Sequence, residues 1–432
     1  MFKTKFIFAG AAAFFILSAL LSGCERAAGT DTNNTGDVPG FTFPRGGAPD
    51  ESSGQPENGA PPAAPPNDGT VRLGFIAAGD NIMHAVMLDD AAARASAGEK
   101  FNFTDMYKGV ADIIKAADIA LVNAETPIAG GEFGYSGYPM FNTPEENAHA
   151  LVGLGFDIIN LANNHMLDKG EKGYKNHLDF WDAQPVLHIG GFRDRADFEA
   201  VRIYEKNGVS IAFLSYTYST NGMVLPAGSE MVIPFIDSAV IERQIKAARP
   251  LADLLFVVMH WGEEDSFKSD STQKSLAQMM ADNGADVIIG MHPHVFQETV
   301  WLERAGGGRT LAVYSIGNLI SGMLGAKNMI GGLLGFDIVK TANGAVTLEN
   351  AQITPVMTHY GYQPGRTGPY NPVYQFQNGR LGFQVYRFED YTRELAAEHG
   401  VALFDSAFSY DYIKDLIKTR VPREFLSDFY KD

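Results

Sequence analysis

Residue types that can bind metal ions or move protons stand directly after several apolar runs of this 432-residue chain. The runs are rich in Val, Ile, Leu and Ala, which is typical of buried strands. The residues that follow them are Asp80, Glu125, Asn163, Asn164, His165, Asp168, His260, Glu263, His292 and His294. Because the carboxyl ends of parallel strands form the ligand-binding edge of an open α/β sheet, we expect these side chains to share one site.

Each motif also has an ordinary structural interpretation when it is taken alone. Asp80 after a glycine is typical of a turn, residues 163–165 could cap a helix, and His260 could be a buried core imidazole. The His-Pro-His segment 292–294 is more specific, because alternate residues of an extended segment point to one face. The prediction of one shared site depends on all of these motifs together. Without such a site, five strand ends would have acquired ligand-type residues by coincidence.

The types of ligand atom in these residues limit which metal ions could bind. Carboxylate and amide oxygens combined with imidazoles suit Mn, Fe or Zn better than Mg or Ca. The single cysteine, Cys24, excludes a thiolate zinc site and an intramolecular disulfide. The formal net charge of −17 argues against nucleic acid as a partner, so an anionic ligand is expected to be held locally at the metal site.

Helical patterns alternate with the strand patterns along the chain. Apolar residues recur at spacings of three and four in the segments before Asp118, Phe156, Leu251 and Ala285. This alternation predicts an α/β layered sandwich. After about residue 356 the pattern gives way to a segment rich in Gly, Pro and Tyr, and then to a helix-rich tail from Thr392. We interpret residues 356–432 as a C-terminal extension or cap.

Several motifs together resemble the CapA family of bacterial capsule and poly-γ-glutamate synthesis proteins. The matching segments are GDNIMH (79–84), NAET (123–126), ANNHMLDKGEKG (162–173), HWGEE (260–264), GMHPHVFQ (290–297) and YSIGNLI (314–320). That family is similar in turn to the calcineurin-like metallophosphoesterases. The resemblance therefore implies a four-layer α/β sandwich around two divalent metal ions, which we expect over residues 71–355.

The resemblance also implies a division of the metal ligands. The implied ligands are Asp80, Glu125, Asn164, His260, His292 and His294. Glu125 would bridge the two ions, and Asp80 and His294 would bind the first of them. Asn164, His260 and His292 would complete the second.

Two further residues are implied to act on the substrate beside the metal ions. His165 is similar to the acid that meets the leaving group, and Asp168 to its orienting partner. Asn163 and Glu263 are expected to support the ligands from outside. His84 is a further supporting residue, at a position where the family often has an arginine shortly after the Gly-Asp pair.

The first 70 residues have a different character from the rest of the chain. Lys3 and Lys5 precede an apolar run that ends in Leu-Ser-Gly-Cys24, which resembles the bacterial lipobox. We interpret residues 1–24 as a lipoprotein signal peptide, with an uncleaved transmembrane anchor as the alternative. Residues 25–70 are dense in Gly, Pro, Ser and Asn and predict a disordered linker. Both interpretations place the body outside the cytoplasm, and the first anchors it to the membrane by lipid.

Two functions remain open on the sequence alone. The first is a metal-dependent hydrolase that acts on a phosphoester or on an anionic cell-surface polymer or its precursor. The second is a non-catalytic factor that tethers or exports the polymer, together with membrane-bound synthase or export subunits. Metal ions that are only structural are a third, weaker interpretation.

Overall fold

The structure is a computed structural model that describes residues 69–372 and 374–430. The predicted signal peptide, its Cys24 and all but the last two residues of the predicted linker lie outside these ranges. Within them, none of the helices has the length and apolar character of a membrane-spanning segment.

The described residues form fourteen strands and nine α-helices. The strands are β1 (Val71–Asn81), β2 (Ile119–Ala124), β3 (Ile158–Asn160), β4 (Leu187–Ile189), β5 (Arg202–Lys206), β6 (Val209–Thr217), β7 (Leu254–His260), β8 (Val287–Met291), β9 (Thr299–Glu303), β10 (Arg309–Val313), β11 (Asn318–Ile320), β12 (Ile330–Lys340), β13 (Val346–Tyr362) and β14 (Arg380–Arg387). The helices are α1 (Ala85–Ala93), α2 (Ala111–Ala116), α3 (Glu145–Leu154), α4 (Gly170–Asp182), α5 (Arg195–Glu199), α6 (Ser238–Ala248), α7 (Ser271–Asp282), α8 (Arg393–Glu398) and α9 (Tyr410–Arg420).

The strands belong to two mixed sheets. The first sheet has the order β14-β13-β12-β1-β2-β3-β4, with β11 also paired to β1. Its strands β1 to β4 are parallel, whereas β12, β13 and β14 add antiparallel strands beyond β1. The second sheet has the order β5-β6-β7-β8-β10-β9, in which β6, β7, β8 and β10 are parallel.

The two sheets pack face to face through an apolar core. Phe75 of β1 lies edge-on to Phe256 of β7, with 5.1 Å between ring centroids, and stacks on Phe336 of β12 at 4.8 Å. A second apolar cluster on the second sheet includes Ile241 of α6 and Met280 of α7. Helices α2, α3 and α4 contribute buried side chains to the larger cluster around the first sheet. The layers of helix, sheet, sheet and helix confirm the predicted four-layer α/β sandwich.

The C-terminal region differs from its predicted boundary at residue 356. Strand β13 runs through that position, and β14 extends the same sheet by pairing with β13. Residues 356–387 therefore continue the first sheet, because the apolar pattern persists to Tyr362 before the loop rich in Gly and Pro begins. The predicted helix-rich tail follows as α8 and α9.

Candidate metal centre

Two buried carboxylates lie side by side where neighbouring parallel strands end. Asp80 is the second-to-last residue of β1 and Glu125 follows β2, and in the pairing of these strands Asn81 is the partner of Ala124. Neither carboxylate is accessible to solvent. Among the described residues, no lysine or arginine forms an ion pair with either one. The burial of two carboxylates without a basic partner is unfavourable for the folding free energy unless a cation binds to them.

Three histidines reach these carboxylates from the second sheet. His260 ends β7, and its Nε2 lies 3.8 Å from Oε1 of Glu125. His294, beyond β8, places Nε2 3.7 Å from the same oxygen and Nδ1 3.0 Å from Oδ2 of Asp80. His292 lies beside both, with 4.8 Å between its ring centroid and that of His260. The facing ends of the two sheets thus bring together the residues expected to share a site.

Glu125 occupies the centre of this group. Its carboxylate forms one possible ligand set with His292 and His294, and another with Asp80 and His260. Within each set the ligand atoms lie within 4.8 Å of one another. Glu125 is therefore the residue that the two sets share.

The His-Pro-His segment reaches the site by a different geometry from the predicted one. His292 has φ of 96° and His294 has φ of 57°, so the segment is a turn and the expectation of an extended strand was wrong. The His292 backbone N–H donates to Oδ2 of Asp80 at 3.1 Å. This bond closes the turn over the end of β1, and both imidazoles still face the carboxylates.

Burial controls the charge states of these carboxylates and imidazoles. Burial, followed by the nearby charge of Asp80, holds the pKa of Glu125 well above its usual value. For Asp80, burial acts to raise the pKa, but the hydrogen bond and charge of His294 bring it below the usual value. Burial and the charge of the neighbouring histidines hold the pKa of His260 well below its usual value and lower that of His292 to about 3. His260 and His292 are therefore neutral imidazoles, the form that binds metal ions.

The donor atoms fit a metal ion. Oε1 of Glu125, Nδ1 of His260 and Nδ1 of His292 are buried and have no hydrogen-bond partner among the described residues. Buried polar atoms are nearly always satisfied, so unpaired oxygen and nitrogen atoms in one cluster indicate that something else binds there. A divalent cation satisfies such a set of carboxylate and imidazole donors.

The segment after β3 lies against the same group. Oδ1 of Asn164 is 3.0 Å from Nε2 of His260, which places the amide at the edge of the ligand set. Asn163 supports the backbone, because its Nδ2 donates to the Ala124 carbonyl at 3.1 Å and its Oδ1 accepts from the His165 N–H at 3.0 Å. Asn163 thus fixes where the next two residues lie.

His165 and Asp168 form a pair just outside the ligand sets. Nδ1 of His165 is 2.9 Å from Oδ2 of Asp168, and the Phe141 backbone N–H donates to the same oxygen at 2.7 Å. The Phe141 ring packs edge-on against the imidazole, with 4.6 Å between centroids. An imidazole oriented in this way by a carboxylate can donate a proton from its other nitrogen.

The two remaining supporting residues have different outcomes. Glu263 is exposed to solvent and has no hydrogen bond to His260 within the described part of the chain, because Gly262, with φ of 87°, turns the backbone outwards. Its predicted role in fixing His260 is therefore corrected. His84 lies near the site, where its Nδ1 accepts a hydrogen bond from the Gly322 N–H at 3.0 Å.

Sequence reasoning assigned no role to three residues that contact the group. Asn123 donates to Oδ1 of Asp80 at 2.7 Å, and Oδ1 of Asn318 lies 3.1 Å from Nδ1 of His294. The Tyr218 ring packs on that of His292 at 4.4 Å and is 43% exposed, so it forms part of the mouth of the site. Asn123 lies on β2 two residues before Glu125, and this spacing of two was the signal that could have identified it.

Residues 74–323 match the family model for the bacterial capsule synthesis protein PGA_cap. The chain is 30% identical over 267 residues to the PGA biosynthesis protein CapA of Bacillus subtilis, which covers 59% of this chain and 65% of that protein. It is 32% identical over 180 residues to the capsule biosynthesis protein CapA of Bacillus anthracis, which covers 41% of this chain and 43% of that protein. The chain thus spans less than two thirds of the length of these curated relatives.

A solved structure is also similar to this chain. It is that of the calcineurin-like phosphoesterase YfkN from Bacillus subtilis, with 14% identity and a TM-score of 0.36 over 65% of this chain and 91% of that one. The family match is the stronger finding, since it covers more than half of the chain and includes every expected metal ligand from Asp80 to His294. By this family match, the chain belongs to the PGA_cap family of bacterial capsule synthesis proteins.

Proposed function

We propose that this protein is a metal-dependent hydrolase of capsule or poly-γ-glutamate synthesis, with two divalent ions of Mn, Fe or Zn. The observation that carries the proposal is the position of Glu125, whose buried carboxylate is common to two sets of possible ligands. The relatives named for capsule or PGA biosynthesis support an anionic cell-surface polymer, or its phosphoester precursor, as the substrate.

The proposed chemistry divides between the ligands and the pair beside them. Two divalent ions held by Asp80, Glu125 and the histidines would supply Lewis acidity and a water molecule of lowered pKa. Because His260 and His292 are neutral, the loaded site would carry positive charge and attract an anionic group despite the net charge of the chain. His165 donates a proton to the leaving group, and Asp168 holds its ring in the orientation that this requires.

The location of the protein is part of the proposal. The lipobox-like sequence at Cys24 supports an extracytoplasmic protein that a lipid anchors to the membrane, and the linker 25–70 would hold the body away from the surface. Membrane-bound polymer synthase or export subunits would then be within reach. Replacement of Cys24 by serine should abolish fatty-acid labelling of the chain and release it from the membrane fraction. Unchanged labelling would contradict the anchor.

A second function is favoured by the names of the relatives, which describe biosynthesis and not hydrolysis. In this alternative the same cationic site binds the anionic polymer without cleaving it, and the protein tethers or exports the chain. The proposed proton donor distinguishes the hydrolase from the tether, because a site that only binds the polymer has no need of the His165 and Asp168 pair.

The test is a hydrolysis screen of the full chain loaded in turn with Mn, Fe and Zn. The substrates are bis(4-nitrophenyl) phosphate, peptidoglycan fragments and poly-γ-glutamate. We expect turnover of at least one, and its loss in His165→Ala with metal content unchanged. His149→Ala, at an exposed position of α3, is the matched control and should keep full activity. No turnover with any metal, together with retained polymer binding, would contradict hydrolysis and support the tether.

A further inference from the structure

His84 has a fixed proton position. It directly precedes α1, and its Nδ1 accepts a hydrogen bond from the Gly322 backbone N–H at 3.0 Å. A backbone N–H can only donate, so Nδ1 carries no proton. The proton of the neutral ring is therefore on Nε2.

The Nε2 side of the ring is left for a ligand. Nε2 has no hydrogen-bond partner in the part of the chain that the structure describes, and the residue is partly exposed. The ring lies edge-on to Phe141 at 5.5 Å between centroids, and Phe141 in turn contacts His165. His294 and His165 are both close enough for their charges to lower the pKa of His84. Phe141 thus contacts both the ring of His84 and that of the proposed acid.

We infer that the Nε2–H of His84 donates a hydrogen bond to an oxygen of the substrate's reacting phosphoryl or carbonyl group. The inference rests on the proposed function and adds a substrate-contacting residue to it. A donor that is fixed before the substrate binds, in a site with little water, stabilises charge that develops on that oxygen. The ligand class is an oxyanion or an ester or amide carbonyl oxygen.

Contacts from the C-terminal part of the first sheet hold the His84 imidazole in place. A Cβ atom on Gly322 would lie 2.7 Å from Cβ of His84, so a glycine is needed where the loop passes the imidazole. Nη1 of Arg380, the first residue of β14, donates to the Gly322 carbonyl at 2.6 Å. Arg380 is almost fully buried, and its guanidinium lies over the Tyr360 ring at 5.2 Å. Arg380 is a positioning residue that acts through Gly322.

The charge state of the ring agrees with this role. Burial, and next the charge of Arg380, lower the pKa of His84 to about 3. The imidazole therefore stays neutral at physiological pH and keeps its Nε2 proton. His84 serves as a fixed donor, whereas His165 is the group that exchanges a proton.

Two substitutions of His84 distinguish the role of Nδ1 from that of Nε2. His84→Asn keeps an acceptor near the position of Nδ1 and removes the donor, whereas His84→Gln places an amide N–H near the position of Nε2. We expect kcat of the metal-loaded full chain to fall about 100-fold in His84→Asn, the loss measured for single oxyanion-hole donors. His84→Gln should recover at least part of that loss, and metal content should be unchanged in both. His149→Asn is the control for a histidine outside the site.

A second measurement does not depend on turnover. In the zinc-loaded full chain labelled with 15N-histidine, the His84 signals, assigned by their loss in His84→Asn, should show the Nε2–H form. Addition of inorganic phosphate should shift the Nε2 signal. A Nε2 signal that phosphate does not move would overturn the inference, whether or not the protein is a hydrolase. If the wild type hydrolyses a substrate and His84→Asn has the same kcat and KM, the inference also fails while the proposed function stands.

Discussion

The imidazole of His165 and the carboxylate of Asp168 lie 2.9 Å apart, Nδ1 to Oδ2, three residues apart in the segment that follows β3. The same carboxylate oxygen accepts the Phe141 backbone N–H, so Asp168 is held by a second segment of the chain. This arrangement fixes the ring of His165 through Nδ1, as the proton-donor role that we propose for its Nε2 requires.

Asp168→Asn tests that relationship. The amide would present either an N–H or a weaker acceptor to Nδ1, so the ring of His165 would lose its oriented form. We expect kcat to fall about 100-fold or more, which is the usual contribution of a positioned acid. The measurement is steady-state turnover of the metal-loaded full chain together with its metal content. Asp415→Asn, at an exposed position of α9, should have no effect. Unchanged turnover in Asp168→Asn would remove the proposed acid pair.

Glu125→Gln tests the bridging carboxylate. A neutral amide keeps the size of the side chain but supplies only one weak oxygen donor, so at least one of the two ions should be lost. Elemental analysis of the reconstituted full chain measures the stoichiometry. Glu263→Gln is the matched control, because Glu263 is exposed beyond β7. Equal metal content in Glu125→Gln and the wild type would show that Glu125 is not a ligand.

Asn123→Ala tests a residue that supports a ligand from outside. Its amide donates to Oδ1 of Asp80 at 2.7 Å and so orients the carboxylate. Loss of such a contact typically weakens metal binding about 10- to 100-fold. Competition with a chelator measures the affinity, and Asn343→Ala, in the exposed turn after β12, provides the comparison. An affinity equal to that of the wild type would show that Asp80 is oriented by other contacts.

The strand ends are the part of the site that the sequence predicted well. Asp80, Glu125 and His260 follow apolar runs that form β1, β2 and β7, and a parallel strand delivers the residue at its carboxyl end to the sheet edge. The α/β layered sandwich followed from the alternation of such runs with helical patterns, and its four layers were implied by the family resemblance. These predictions depend on periodicity and on residue type, which a single sequence shows directly.

Other features depend on backbone turns and distant contacts. The left-handed conformations of His292 and His294 are not encoded in a period, so the extended interpretation of that segment failed. Glu263 was misplaced for the same reason, since the turn at Gly262 points it to solvent. Asn318 meets His294 only through the pairing of β11 with β1, which a local pattern does not reveal.

The stability of the protein should fall in acid because of buried neutral histidines outside the site. Nδ1 of His177 accepts the Ile128 N–H at 3.0 Å, and burial lowers the pKa of His177 from 6.5 to about 3. Below about pH 6.5 the unfolded chain binds a proton there that the folded chain does not. The free energy of unfolding therefore falls with pH between these two values, by about 2 kcal/mol at pH 5 from this one group.

Urea unfolding of the wild type and His177→Asn at pH 7.5 and pH 5.0 measures this effect. Asparagine offers an acceptor near the position of Nδ1 but does not titrate. The variant should therefore lose less stability than the wild type between the two pH values, by about 2 kcal/mol. Other titrating groups contribute equally to both chains and cancel in the comparison. The same loss in both chains would contradict a depressed pKa at His177.

Anomalous X-ray diffraction from crystals of the full chain grown with Mn tests whether Glu125 bridges two divalent ions. Two peaks are predicted, about 3.5–4 Å apart, with Glu125 between them and with Asp80, His260, His292 and His294 around them. Well-diffracting crystals with no peak at these residues, or with peaks only elsewhere, would contradict a two-metal site at Glu125.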